Sequence, residues 1–155
     1  MKVLQALSLA IFLVVPGVTL TRASEMKLNK ADLPPAVRKA ADHESRGATV
    51  RGYSKEVENG KTTYEVELMV NGHAKDVSMD PSGAVVEVEE VTPLESLPAA
   101  AREAIVKGAG SGKIIKVEAI SNGKDPIEAY EASVRTNGKH SEVRVKPDGS
   151  RAPED

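Results

Sequence analysis

The chain has 155 residues, no cysteine, a formal charge of −2 and only 3% aromatic residues. Disulfides, thiol catalysis and lipid attachment at a cysteine are therefore excluded. A mildly acidic balance without a Lys/Arg block repels phosphate backbones, and so few rings make a poor base-stacking platform, so nucleic acid is not an expected partner.

Residues 1–23 read as a secretory signal peptide. Lys2 gives a positive start, Val3 to Leu20 is almost wholly apolar, and Pro16-Gly17 breaks the run. Thr21 and Ala23 put small residues at −3 and −1 of a cleavage site. An uncleaved anchor is the rival, which the Pro-Gly break and the small-residue exit disfavour. Cleavage would remove Lys2, Arg22 and no acid, leaving 19 basic against 23 acidic side chains, a charge of −4. The expected product is periplasmic or secreted, with no stable membrane insertion once the signal is gone. Phe12 leaves with it, so Tyr53, Tyr64 and Tyr130 are the remaining aromatics and the core must be Val, Ala, Ile, Leu and Met.

Residues 24–31 form a polar leader without clear periodicity. Leu33-Pro34-Pro35 then opens a short helix, since proline is tolerated in the first turn where its missing N–H would be unpaired anyway. Val37, Ala40, Ala41 and Glu44 share one stripe of it. Thr49 to Val57 has strand composition, and Asn59-Gly60 marks a hairpin. Tyr64, Val66, Leu68 and Val70 alternate with Thr63, Glu65, Glu67 and Met69, the period-2 pattern of a half-buried strand. Asn71-Gly72 accepts positive φ at both turn positions and folds the chain back. His73 to Met79, the type I turn Asp80-Pro81-Ser82-Gly83 and Ala84 to Glu89 complete an α-β-β-β-β unit over residues 32–91.

A connector at 92–96 leads to a second pass over residues 97–155. Leu97-Pro98 restates Leu33-Pro34 at an offset of 64, and Ala101, Ala104 and Ile105 take the places of Val37, Ala40 and Ala41. Gly108 to Gly112 is read as the helix stop, Lys113 to Ile120 as a strand, and Asn122-Gly123 as its turn. Tyr130, Ala132 and Val134 then lead to Asn137-Gly138, Val143 and Val145. Tyr64, Asn71, Gly72, Val77, Pro81 and Gly83 all recur 66 positions later. After Gly149 only a polar tail remains, so the second unit lacks most of a fourth strand. The expected fold class is α+β: two tandem helix-plus-antiparallel-sheet repeats, the second truncated, with the helices on one face. Its last hairpin would leave an open edge, for which pairing with the neighbouring sheet is one remedy.

Leu33-Pro34, Gly60-Lys61, Tyr64-Glu65-Val66-Glu67-Leu68 and Asp80-Pro81-Ser82-Gly83 together form a pattern. Leu97-Pro98, Gly123-Lys124, Tyr130-Glu131 and Pro147-Asp148-Gly149 restate it. The pattern resembles the PepSY-like family, also labelled β-lactamase-inhibitor-like and related to PepSY domains in propeptides of thermolysin-type peptidases. The resemblance implies a bacterial exported protein and attributes no catalytic residues. The motifs are turns and core positions and carry no chemistry.

A search for chemistry returns little. Gly108-Ala-Gly110-Ser-Gly112-Lys113 lacks phosphate-loop spacing and lies after a helix instead of before one. His43, His73 and His140 have no partners at ligand spacing, and no metal ligand set or cofactor is expected. Asp76, Asp80, Glu87, Glu89 and Asp148 offer hard oxygens, but no Asp-x-Asp-x-Asp-Gly loop holds them and turn aspartates have local hydrogen bonds to make. Glu65/Glu67 and Glu87/Glu89 share strand faces on the wet side, where nothing would raise one carboxylate as glycosidic chemistry requires. No enzyme is expected. The candidate partner-binding surface is the sheet face carrying Glu65, Glu67, Met69, Asp76, Glu87 and Glu89, with Val85 placed beside them. The second half carries Ala129, Glu131, Ser133, Arg135, His140, Glu142 and Arg144 on its corresponding face. The expected function is a non-catalytic exported protein-binding module, an inhibitor or chaperone of a secreted or envelope hydrolase. The alternative is a cell-envelope ligand or calcium sensor using the acidic turns.

Overall fold

The computed structural model describes residues 25–123 and 126–153; the signal-peptide segment lies outside them. In chain order the elements are β1 (Met26–Leu28), a 3-10 turn (Lys30–Asp32), α1 (Pro35–Glu44), β2 (Thr49–Glu58), β3 (Lys61–Val70), β4 (His73–Met79) and β5 (Val85–Val91). A second 3-10 turn (Leu94–Ser96), α2 (Ala99–Ala109), β6 (Lys113–Ser121), β7 (Ala129–Thr136) and β8 (Lys139–Val145) follow. The polar leader thus contains a strand, too short for any periodicity to show it.

All eight strands join one antiparallel sheet in sequence order. This corrects the expectation of two helix-plus-sheet repeats. The seam that two separate sheets would leave open is closed by β5 and β6, which pair from Val88↔Ser121 to Val91↔Glu118. An unpaired strand edge is a row of unsatisfied donors and acceptors, and one more ladder satisfies them within the chain. At the β8 edge, among the described residues, Arg151 bridges to Val145 and the Ala152 N–H donates to the Arg144 carbonyl.

The turns follow the residues. Asn59, Asn71 and Asn137 take φ of 49°, 50° and 51°, the left-handed conformation a type I′ hairpin needs. Both helices lie on one side of the sheet, each over its own apolar cluster. Beneath α1 pack Leu33, Val37, Ala41, Val66, Leu68, Val77, Met79 and Val88. Beneath α2 pack Leu97, Ala101, Ile105, Val117, Ala132, Val134 and Val145. The helix ends within the expected Gly108 to Gly112 stretch: α2 runs to Ala109, and Gly110 turns the chain. A Cβ at Gly108 would lie 2.6 Å from Val143 Cγ1, so its bare backbone is what lets α2 settle onto β8.

Tyr64 and Tyr130 face their clusters from β3 and β7, yet both are only half-buried, as is Tyr53. We therefore expect Tyr64→Ala and Tyr130→Ala to cost about 2 kcal/mol each in urea melts, below the cost of a fully buried ring, with Tyr53→Ala similar. Losses under about half a kcal/mol at all three would contradict the observed packing.

Candidate functional site

Among the described residues, no helix covers the opposite side of the sheet. Strand alternation sends Glu65, Glu67, Asp76, Glu87, Glu89, Glu118, Glu131 and Arg144 to this side. The register sets like charges directly across from one another. Glu67 faces Asp76, which faces Glu89, and Glu118 faces Glu131. Directly opposed like charges destabilise a sheet, so this face is maintained at a cost in stability.

The face is concave. Arg144 Nη2 on β8 lies 3.1 Å from Glu87 Oε2 on β5, three strands away. Flat strands at that separation would stand about 14 Å apart, so the sheet curls and the arginine reaches across its inside. The same guanidinium lies 3.9 Å from Glu131. Curling encloses a hollow of about 500 Å³ that runs from Glu25 and Glu56 through Glu65 and Glu89 to Glu118, Glu131 and Glu142. Ser54, Thr63, Ser78 and Ser133 add hydroxyls, and among the described residues Lys116 is the one basic residue lining it. Volume alone would suit a small molecule, but such pockets are walled by apolar and aromatic side chains, which this one lacks.

Burial among like charges shifts the acids. Glu65 is pushed up to about 7, chiefly by burial and then by Asp76 and Glu67. Glu89 reaches about 7 by burial first, then by Glu118 and Glu87. Asp76 is raised by burial and the charges of Glu118 and Glu67, with Lys116 opposing. Glu131 is raised by burial and Glu142, with Arg144 opposing. Burial disfavours the Lys116 ammonium, but its bond to Glu118 and the fields of Glu89 and Asp76 outweigh that and hold its pKa above the usual lysine value. Glu118, 3% exposed, has Lys116 Nζ 2.7 Å from its Oε1. Carboxylate oxygens of Asp76, Glu89 and Glu118 come within 4.8 Å of one another.

Of the candidate residues, Glu65 and Glu89 line the hollow, with Glu67 and Asp76 beside it in the opposed row. Glu87 lines an adjoining groove with Thr63 and Ser78. Met69 pairs with Ala74 and lies outside the hollow. Val85 packs on the helix side, because a bulge after Ser78 shifts the β5 register so that Val85 falls opposite Met79. Ala129, placed on the wet face, is buried with Ile120 and Ala152, since the chain after β8 folds over it. Glu118 and Lys116 escaped the sequence reading. Their alternation with Val117 and Ala119 was a usable signal. Asp80 and Asp148, the calcium candidates, are spent locally: Asp80 Oδ1 accepts from the Ser82 N–H and hydroxyl, and Asp148 Oδ1 from those of Ser150. These bonds hold both carboxyls below the usual range.

Arg144 is the strut whose removal should be felt most on this face. Arg144→Met keeps its stem but leaves Glu87 and Glu131 facing other acids without their guanidinium. We expect a loss of about 2–3 kcal/mol near neutral pH, smaller near pH 5, read by urea melts at both. A pH-independent loss would assign the effect to packing alone.

An open antiparallel sheet with helices on one side and a polar concave face on the other defines the fold class. No protein-family model matches the chain, and no curated protein matches it at a significant level. Solved structures do. A "putative periplasmic" protein from Bacteroides eggerthii aligns with a TM-score of 0.62 at 17% identity, covering 78% of this chain and 86% of that one. A DUF2874 family protein from Bacteroides ovatus gives 0.60 at 17% identity, over 78% and 85%. A BLIP-like protein from Bacteroides fragilis gives 0.56 at 20% identity, over 79% and 86%. At these identities the likeness is one of fold, and the fold is BLIP-like.

Proposed function

We propose that this protein is an exported, non-catalytic protein-binding module that docks its partner on the concave face of the sheet. The observation that carries the reading is the hollow itself, a large sheet face lined by carboxylates and hydroxyls without apolar walls. Such a face costs the fold stability through opposed like charges, a cost that a binding role would offset. Two-carboxylate catalysis needs environments that push two pKa values apart, whereas Glu65 and Glu89 are raised together by the same cause. The three histidines are exposed. A BLIP-like fold supports a hydrolase of the envelope as the partner, held inactive or escorted. The periplasmic description of a fold neighbour and the signal-like residues 1–23 support export. Among the described residues no helix is long and apolar enough to cross a membrane.

A photo-crosslinking residue placed at Ser78, in the hollow, is expected to give an adduct in the exporting cell, and the same residue at Glu103 on α2 is not. Adducts only from Glu103 would move the docking surface to the helix side. A second reading, cation binding, is favoured by the convergence of Asp76, Glu89 and Glu118. Lys116 already supplies a positive charge there, bonded to Glu118, and would compete with a cation for the same oxygens. The metal reading therefore ranks second.

A further inference from the structure

We propose that the segment of the partner seated in the concave face is basic, an extended or looped polypeptide stretch whose Lys and Arg side chains enter the hollow between Glu56, Glu65 and Glu89. This rests on the docking reading above and adds the chemistry of the occupant. Charge complementarity is the first argument: among the described residues seven carboxylates line the hollow against one lysine. The second is the pattern of internal neutralisation. The chain supplies its own cations on the second half of the face, where Arg144 meets Glu87 and Glu131 and Lys116 meets Glu118. On the first half, Glu56, Glu65 and Glu67 have neither a hydrogen bond nor an ion pair among the described residues. The face is therefore half neutralised from within and half left open.

Spacing separates a polypeptide from a single ion. One cation at Asp76, Glu89 and Glu118 would leave Glu56 and Glu65 unanswered. Carboxylates on neighbouring strands stand about 5 Å apart and those two residues along a strand about 7 Å, spacings that alternate side chains of an extended basic segment match. Guanidinium and ammonium groups entering this partly desolvated hollow would form charge-assisted bonds stronger than those on an open surface. Protons would be displaced as they bind. Burial first, then Asp76, Glu67, Glu25 and Glu56 around Glu65 and Glu118, Glu87 and Glu131 around Glu89, with Lys116 opposing, raise both to about 7, so a cation entering near neutral pH meets partly protonated acids.

The test is fluorescence anisotropy with a labelled oligo-arginine peptide, an oligo-serine control and calcium alone, each titrated into the intact protein at low salt. Binding of the basic peptide should be stronger at about pH 8 than at about pH 5, as the acids ionise. Glu65→Gln with Glu89→Gln should weaken it about tenfold or more, whereas Glu95→Gln with Glu103→Gln, the same change in net charge on the helix side, should leave it within about twofold. The Gln pair removes repulsion and keeps side-chain shape, so a loss of binding will not reflect a loss of fold. Equal weakening by the two pairs would reduce the effect to overall charge and overturn the proposal. Stoichiometric calcium binding that the Gln pair abolishes, with no peptide binding, would overturn it in favour of a metal. If crosslinks from Ser78 capture a partner that contacts the face through neutral or acidic residues, the docking reading stands and the basic segment falls.

Discussion

Leu68→Ala and Ile105→Ala are each expected to destabilise the protein by about 3–4 kcal/mol, a large fraction of the 5–15 kcal/mol that holds a domain of this size. Leu68 is 1% exposed under α1 and Ile105 is fully buried under α2. Each loses the transfer free energy of its side chain and leaves a cavity that the sheet cannot close, because the ladder on either side fixes the strand positions. The two sites lie in different clusters, yet both should shift one and the same transition. Val88 of β5 packs in the α1 cluster while β5 hydrogen-bonds to β6, whose Val117 packs in the α2 cluster. Neither half has a disulfide or a second sheet to stand on. Urea melts followed by circular dichroism decide the matter. Unfolding in two steps, with Leu68→Ala moving only one of them, would show that the β5–β6 ladder does not couple the halves.

Acid should stabilise this protein over a range where many proteins are indifferent. Glu65 and Glu89 are raised to about 7 in the fold, while the same side chains in an unfolded chain titrate near 4.3. The folded state therefore binds more protons between those values, and stability falls as pH rises through about 7. The full shift would be worth over 3 kcal/mol per group, but both side chains keep some solvent contact, so about 1–2 kcal/mol each is expected. Asp80 and Asp148 act oppositely. Their carboxyls are lowered by bonds to Ser82 and Ser150, so their contribution is present above about pH 4 and disappears below it. The optimum should fall at about pH 5. Melts at about pH 5 and pH 8 should show the higher value at the lower pH, and Glu65→Gln with Glu89→Gln should flatten the difference and raise stability at pH 8. Stability that is flat or rises across that interval would mean the hollow is wetter than its burial indicates.

The local structure was written in local residues. Asn-Gly pairs placed three hairpins, Leu-Pro opened both helices, and period-2 alternation told Val66 and Leu68 from Glu65 and Glu67, because each depends on backbone preferences and side-chain direction within a few residues. The candidate acids were legible for the same reason: alternation put Glu65, Glu67, Glu87 and Glu89 on one side. What alternation cannot register is an irregularity in the ladder. The bulge after Ser78 moved Val85 to the core, and the chain after β8 buried Ala129. Nor does a strand sequence carry its neighbour's name. That β5 pairs with β6, merging the expected two sheets into one, was decided by edges seeking partners across the chain. The hollow is a consequence of that single sheet. Its curl brings Arg144 to Glu87 and Glu118 to Asp76 and Glu89, residues far apart in sequence. It also converts an ordinary wet face into a partly desolvated one in which carboxylates titrate near neutrality. The sequence by itself determined which residues face away from the helices, through the two-residue period of a strand. Only the tertiary structure decided that they face one another, because the strength of like-charge repulsion depends on distance and on exclusion of water, and both are set by the closure of the sheet.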